Sequence, residues 1–214
     1  MILTVGNTKG GVGKSSLAFN LALSQTMKGK LVWMIDGDRQ GTLSLAATVR
    51  EQAKTEPRIQ FSRHFDGDYL REQVSRHHVD FHEVVIDAGG RDSTALRAAL
   101  TVSDVVLVPF APRSFDVWAL TDMSQLVSEA RAVNPKLRAF AILSMADNTG
   151  RDNQDAIQAL RDFPQLTYLS APILRRKAVA NAAGQGLTVM EYRPKDPKAI
   201  YELRYLADTI FKPL

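Results

Sequence analysis

The stretch Lys9-Gly10-Gly11-Val12-Gly13-Lys14-Ser15-Ser16 constrains this chain more than any other, because of what stands on either side of it. Before it runs an apolar, strand-like segment, ILTVG, and after it a helical one with apolar periodicity, LAFNLALSQTM. A strand that passes through a glycine-rich turn into a helix is the frame of a phosphate-binding loop. Gly10, Gly11 and Gly13 let the backbone turn tightly enough for successive N–H groups to converge on phosphate oxygens, and the start of the helix adds its partial positive charge. Residues Gly10 to Ser16, Val12 included, then form the cradle. Lys14 reaches the β- and γ-phosphates, and the Ser15 hydroxyl is a ligand of Mg²⁺.

The rest of the chain agrees with that frame. Runs rich in β-branched and aliphatic residues at 2–5, 31–35, 59–62, 83–86, 105–109, 139–144 and 166–169 read as strands, several of them apolar at nearly every position. Helical patterns occupy 14–27, 42–53, 69–77, 116–133, 153–162 and 197–211. Strands that alternate with helices of this length predict βαβ units: an α/β fold with a doubly wound, mostly parallel sheet and helices on both faces. With 214 residues and no linker-like shift in composition, residues 1–214 are expected to form one domain. The most irregular stretches are 147–152 and 184–197.

Composition narrows the chemistry. The absence of cysteine excludes disulfides, thiolate metal sites and cysteine nucleophiles, and it fits a reducing compartment. No apolar run reaches the roughly 18 residues of a membrane span. The N-terminal MILTVGNTKGG lacks the basic and apolar regions of a signal peptide, so the expected location is cytoplasmic. A net charge of +4 is compatible with a polyanionic partner, either nucleic acid or anionic lipid. His64, His77, His78 and His82 lack metal-ligand spacing and are expected to be surface or satisfied core residues, while Trp33 and Trp118 are read as packing residues.

An ordinary phosphate loop has a glycine five residues before its Gly-Lys pair. Here Thr8 takes that place and Lys9 follows it. In this the chain resembles the deviant-Walker ATPases of the ParA/MinD family, and most of all the small plasmid-partition members. The resemblance implies a site for Mg-ATP shared between two subunits, with Lys9 crossing to the partner's phosphates. A cation placed directly before the glycines folds back poorly onto its own γ-phosphate, so a role in trans is physically reasonable.

Two acidic motifs follow. Ile35-Asp36-Gly37-Asp38-Arg39-Gln40 resembles the family's DxDPQ motif, with Arg39 in place of proline. Its position after a parallel strand is where open α/β sheets put their ligands. The match implies that Asp38 orients the attacking water and that Asp36 supports the magnesium shell, with a local backbone altered by Arg39. Val84-Val85-Ile86-Asp87 reads as a strand ending in a carboxylate that holds Mg²⁺ through water, and Gly89-Gly90 as a switch turn. Arg91-Asp92-Ser93 and the stretch 108–116 resemble segments of the small partition ATPases, and the resemblance puts the second at the dimer interface beside the nucleotide.

In the C-terminal third the resemblance puts Met145 and Pro172 near the adenine. It assigns nonspecific DNA binding to the cations that follow, Arg175, Arg176 and Lys177, with Lys195, Lys198 and Arg204 extending the patch. Three adjacent cations can neutralise phosphates without reading sequence, or can simply be a solvated face. The resemblance implies an ATP-dependent homodimer that binds the nucleoid and is released when a cargo- or centromere-binding adaptor stimulates hydrolysis. Carboxysome or chemotaxis-cluster positioning has the same chemistry with another cargo. A MinD-like membrane cycle would need a basic amphipathic C-terminal helix, whereas residues 201–214 read as a helix docked on the domain, without stable membrane insertion. Larger partition ATPases carry a helix-turn-helix domain ahead of the loop, so operator binding is not expected of this chain.

Overall fold

The first strand, β1 (Ile2–Gly6), is buried at every position, as a parallel strand covered on both faces must be. Its side chains alternate between two cores. Leu3 and Val5 pack against α1 (Lys14–Thr26), and Ile2 packs on the opposite face. This computed structural model describes residues 1–90, 93–148 and 151–212, and for 114–118 the backbone alone. The elements continue as β2 (Val32–Asp36), α2 (Thr42–Gln52), β3 (Gln60–Arg63), α3 (Gly67–His77), β4 (Glu83–Ala88), α4 (Thr94–Val102), β5 (Val105–Phe110) and α5 (Ser114–Arg131). They close with β6 (Arg138–Ala146), α6 (Arg151–Ala159), β7 (Thr167–Tyr168), β8 (Ile173–Leu174), α7 (Lys177–Gly184) and α8 (Pro197–Ile210).

The strands lie in the order β3-β2-β4-β1-β5-β6-β7, with β8 on the end of β6, and every pairing is parallel. Succession runs from β1 toward the β3 edge, returns through β4, and then runs through β5 and β6 toward the other edge. The order therefore reverses around β1, where an open sheet forms its ligand crevice beyond the carboxyl ends of the strands. Helices α1, α2, α7 and α8 cover one face, and α3, α4, α5 and α6 the other. The doubly wound parallel sheet expected from the strand–helix alternation is the observed fold.

Three elements have no counterpart in the sequence reading: α4, β8 and α7. Each is short, two to nine residues, and so presents too few turns or alternations for periodicity to register. Elsewhere the ends shift by one or two residues, and two segments change in character. The segment at 153–162 begins earlier and ends in a 3₁₀ turn, and the strand at 166–169 shortens to two residues. Helix α8 buries Leu203, Leu206, Ala207 and Ile210 against the domain, so its apolar side is committed to the core. Among the described residues no helix is long and apolar enough to cross a membrane.

One buried ion pair ties α2 to the segment between α7 and α8. Arg50, near the end of α2, is 1% exposed, and its guanidinium donates to the carbonyls of Pro57 and Gly186 and to both carboxylate oxygens of Glu191. Burial alone would raise the Glu191 pKa; the bonds from Arg50 and Thr188 win and hold it below its usual value. All donors of the buried arginine face an acceptor, which is the condition under which a buried charge is tolerated. The histidines are packing and hydrogen-bonding residues, with His64 edge-on to Trp33 and Tyr69 and His78 bonded to the Val74 carbonyl.

Candidate functional site

The loop between β1 and α1 owes its shape to a few contacts. Gly11 and Gly13 have φ of 78° and 86°, a region that side chains rarely adopt. A side chain at Gly13 would also meet the Ser144 hydroxyl at 3.2 Å, and that hydroxyl donates to the Val12 carbonyl at 2.8 Å. A Cβ at Gly10 or Gly11 would meet nothing within 4 Å, so this side of the loop is open. Asn7, fully buried, donates to the Pro109 carbonyl at 2.8 Å and accepts the Lys9 N–H at 2.9 Å. The loop is thereby clamped to the ends of β5 and β6. Sequence reasoning passed over Asn7, although an asparagine three residues ahead of the glycine run is a known turn former.

Lys14, 6% exposed, donates from Nζ to the Lys9 carbonyl at 2.8 Å, which leaves two of its three donors for phosphate. Burial lowers its pKa, opposed by the charges of Asp87 and Asp38. The Lys9 side chain is exposed at the mouth of the cleft and has no ion-pair partner among the described residues.

The carboxylates come from the ends of β2 and β4, neighbours in the sheet, with Asp36 in register with Asp87, and of the three Asp38 lines the cleft. Asp36 is 1% exposed, and each of its oxygens accepts a backbone N–H, from Asp38 at 3.0 Å and Ser44 at 2.8 Å. It shapes the turn that carries Asp38 and the start of α2. Asp38 is half-buried and accepts the Gln40 N–H at 2.9 Å. The turn closes from the Gly41 N–H to the Asp38 carbonyl without a proline. Arg39 lies outside it, over the Phe65 ring. The two acidic loops touch, for Gly37 N–H donates to the Asp87 carbonyl, and a side chain at Gly89 would meet the Asp38 carboxyl carbon at 3.0 Å.

Asp87 is 1% exposed, and neither of its carboxylate oxygens makes a hydrogen bond of ordinary geometry. Its pKa is raised to about 7, first by burial and further by Asp36 and Asp38, with Ser15 and Lys14 pulling the other way. An orphaned buried carboxylate beside a serine hydroxyl and a lysine fits a site completed by a cation and phosphate. Mg²⁺ keeps several waters and takes one or two protein groups, so Ser15 and Asp87 suffice. Bound there, it would neutralise charge on the phosphoryl oxygens.

The cleft has a volume of about 690 Å³ and is lined by Thr8, Lys9, the loop glycines, Lys14 to Ser16, Asp38, Gln40, Thr42, Gly90 and Met145. It gathers the sequence-predicted phosphate and catalytic residues into one place. A second, mostly apolar compartment of about 250 Å³ shares Gly13, Ser16 and Met145 with it and continues to Ile173, Leu174, Val179 and Ala180. Met145 stands between the two with φ of 53°, where the pairing of β6 with β8 slips.

Two expectations change here. Pro172 lines neither compartment; it faces a separate groove against α8, because β8 turns the chain between Pro172 and the loop. Arg176 does not stand free beside Arg175 and Lys177. Its side chain is 14% exposed, bonded through Nε and Nη2 to Glu202 and 3.7 Å from Asp196. Arg175 and Lys177 are exposed. Arg91 and Asp92 lie outside the described residues, as do Thr149 and Gly150 in the 147–152 loop.

Residues 3–189 match the CobQ/CobB/MinD/ParA nucleotide binding domain family. Among curated proteins, the maintenance of carboxysome distribution protein A of Halothiobacillus neapolitanus is 27% identical over 210 residues, 97% of this chain and 95% of that one. Protein ParA of Rhizobium radiobacter is 25% identical over 218 residues, 100% of this chain and 97% of that one. Among solved structures, the McdA(D38A)–ATP complex of Cyanothece gives a TM-score of 0.75 at 16% identity, covering 100% of this chain and 97% of that one. A plasmid partition protein of Borrelia burgdorferi gives 0.72 at 19%, covering 100% and 98%. At these identities the two structures establish likeness of fold.

Proposed function

We propose, from the premise that this chain belongs to the CobQ/CobB/MinD/ParA family of nucleotide-binding domains and is a P-loop ATPase using Mg-ATP, that it works as an ATP-timed dimer on DNA. The observation that carries this reading is the disposition of Lys9. Its backbone is bound into the loop at both N–H and carbonyl, while its charged end stands at the mouth of the cleft. Such a cation, in this reading, reaches the phosphates of a facing copy. In this reading ATP closes two copies face to face with Lys9 in trans, Asp38 aligns the attacking water, and hydrolysis releases the pair. An adaptor bound to a plasmid centromere-like site stimulates that step, and the cargo is the plasmid.

The DNA surface rests on a pattern of charge. The four carboxylates in the segment 175–212 each have a cation of the same chain beside them: Glu191 has Arg50, Asp196 and Glu202 have Arg176, and Asp208 has Lys28 in an exposed surface pair. Arg175, Lys177, Arg193, Lys198 and Arg204 are exposed and have no ion-pair partner among the described residues. Fluorescence anisotropy with a random 30-base-pair duplex, in Mg-ATP, tests the surface. Affinity is expected to fall linearly with salt on a logarithmic scale, and Arg175→Ala/Lys177→Ala is expected to flatten that slope by about 2 and weaken binding roughly tenfold or more. Binding indifferent to salt and to both substitutions would remove the assignment.

A second reading keeps the chemistry and changes the cargo. It is favoured by the name of the Halothiobacillus relative, which concerns carboxysome distribution. Disrupting the gene distinguishes the two readings: loss of plasmid retention supports partition, and clustering of a protein compartment with normal plasmid retention supports positioning.

A further inference from the structure

The groove that took Pro172 away from the nucleotide has a volume of about 500 Å³ and a mainly apolar lining. One wall is Ala171, Pro172 and Leu174, and the other is Tyr201 and Tyr205 of α8. The two tyrosines are 69% and 47% exposed, their rings stacked at 12° with centroids 6.2 Å apart. Neither hydroxyl has a hydrogen-bond partner among the described residues. Large aromatic faces left in water beside an apolar cleft are uncommon on a protein surface and mark a contact site. Arg176 closes one end of the groove, but Glu202 and Asp196 hold it. The cations that can act outward here are Lys198 on its rim and Arg175 and Arg204 close by in sequence. The surface is therefore cationic and aromatic together, and the two carboxylates at the groove, Glu202 and Asp196, are both held by Arg176.

Duplex DNA presents phosphates but keeps its base faces stacked, and would use only the cations. A single strand offers both phosphates and open base faces, and single-strand sites combine cationic tracks with exposed aromatic rings. We infer that the Tyr201–Tyr205 groove is a base-stacking site, through which this chain binds unpaired DNA in addition to duplex. This rests on the DNA-binding reading given above and adds to it a ligand that cations alone do not select.

The test compares a fluorescein-labelled dT30 oligonucleotide with a 30-base-pair duplex by anisotropy, on the full chain with Mg²⁺ and a slowly hydrolysed ATP analogue. The expected result is that Tyr201→Ala/Tyr205→Ala weakens dT30 binding about tenfold, within the range for lost stacking contacts, while duplex affinity changes less than twofold. Tyr201→Phe/Tyr205→Phe, which keeps the rings, is expected to bind dT30 as the wild type does. Both side chains are exposed, so ATPase activity and the circular dichroism spectrum should be unchanged in either variant. If dT30 binding survives both alanines, or if dT30 and duplex weaken in equal measure, the base-stacking site is overturned while duplex binding stands. If the wild type binds neither DNA, the underlying DNA reading fails and this inference with it.

Discussion

Asp87→Asn is expected to remove a loss of stability that the nucleotide-free, magnesium-free protein suffers on going from acid to neutral pH, and to abolish Mg-dependent turnover. The Asp87 carboxyl has a pKa of about 7 in the fold against an ordinary aspartate value of 3.8, because burial penalises its charged form. The native state thus holds its proton more tightly than the unfolded chain does. Between about pH 4 and pH 7 the unfolded state ionises first, and stability drains away; above pH 7 both states are ionised and the loss is complete. An asparagine cannot ionise. The stability of the variant relative to wild type is therefore expected to widen by on the order of 2–3 kcal/mol between pH 5 and pH 8, read from urea titrations without nucleotide. ATPase activity in the same variant should fall roughly a hundredfold or more, since a carboxylate that would help hold the metal is gone. A stability difference that is flat with pH, or near-normal turnover, would contradict the assignment.

Asp38→Ala carries the second large effect. Asp38 is the half-buried carboxylate of the cleft, fixed by the Asp36 turn and pressed close by Gly89. It makes no bond to Lys14, whose Nζ donates to the Lys9 carbonyl, so removing it leaves the phosphate cradle in place. A carboxylate that positions or deprotonates a nucleophile contributes typically 10²–10⁴-fold to rate. Turnover is expected to fall within that range while the Kd for ATP stays within a few fold, measured by phosphate release and by titration calorimetry. Loss of ATP affinity in parallel with rate would mean that Asp38 holds the nucleotide and does not act on the attacking water.

The parts of this site that were legible in the sequence are those whose geometry is set by covalent neighbours. Gly10 to Ser16 make one tight turn because the loop is bounded by β1 and α1, and Asp36 and Asp87 stand side by side because each lies at the end of a strand that the apolar runs make parallel. What escaped depends on partners distant in the chain. Arg176 reads as one of three equivalent cations until Glu202, 26 residues later, folds onto it. Pro172 reads as a base contact until the two-residue β8 turns it toward α8. Helix α7 is eight residues of mostly alanine and valine, with no amphipathic repeat long enough to see. Asn7 gave a local signal in its turn-forming type, but its second bond, to Pro109, is 102 residues away.

The central claim is that ATP joins two copies through Lys9, and sedimentation velocity tests it directly. With Asp38→Ala to hold ATP unhydrolysed, the 23.7 kDa chain is expected to sediment at about twice its mass in Mg-ATP and as a monomer without nucleotide. Adding Lys9→Ala should return the Mg-ATP sample to the monomer although ATP still binds. A mass that does not change with ATP, or an ATP-dependent dimer that survives the loss of Lys9, would contradict the account.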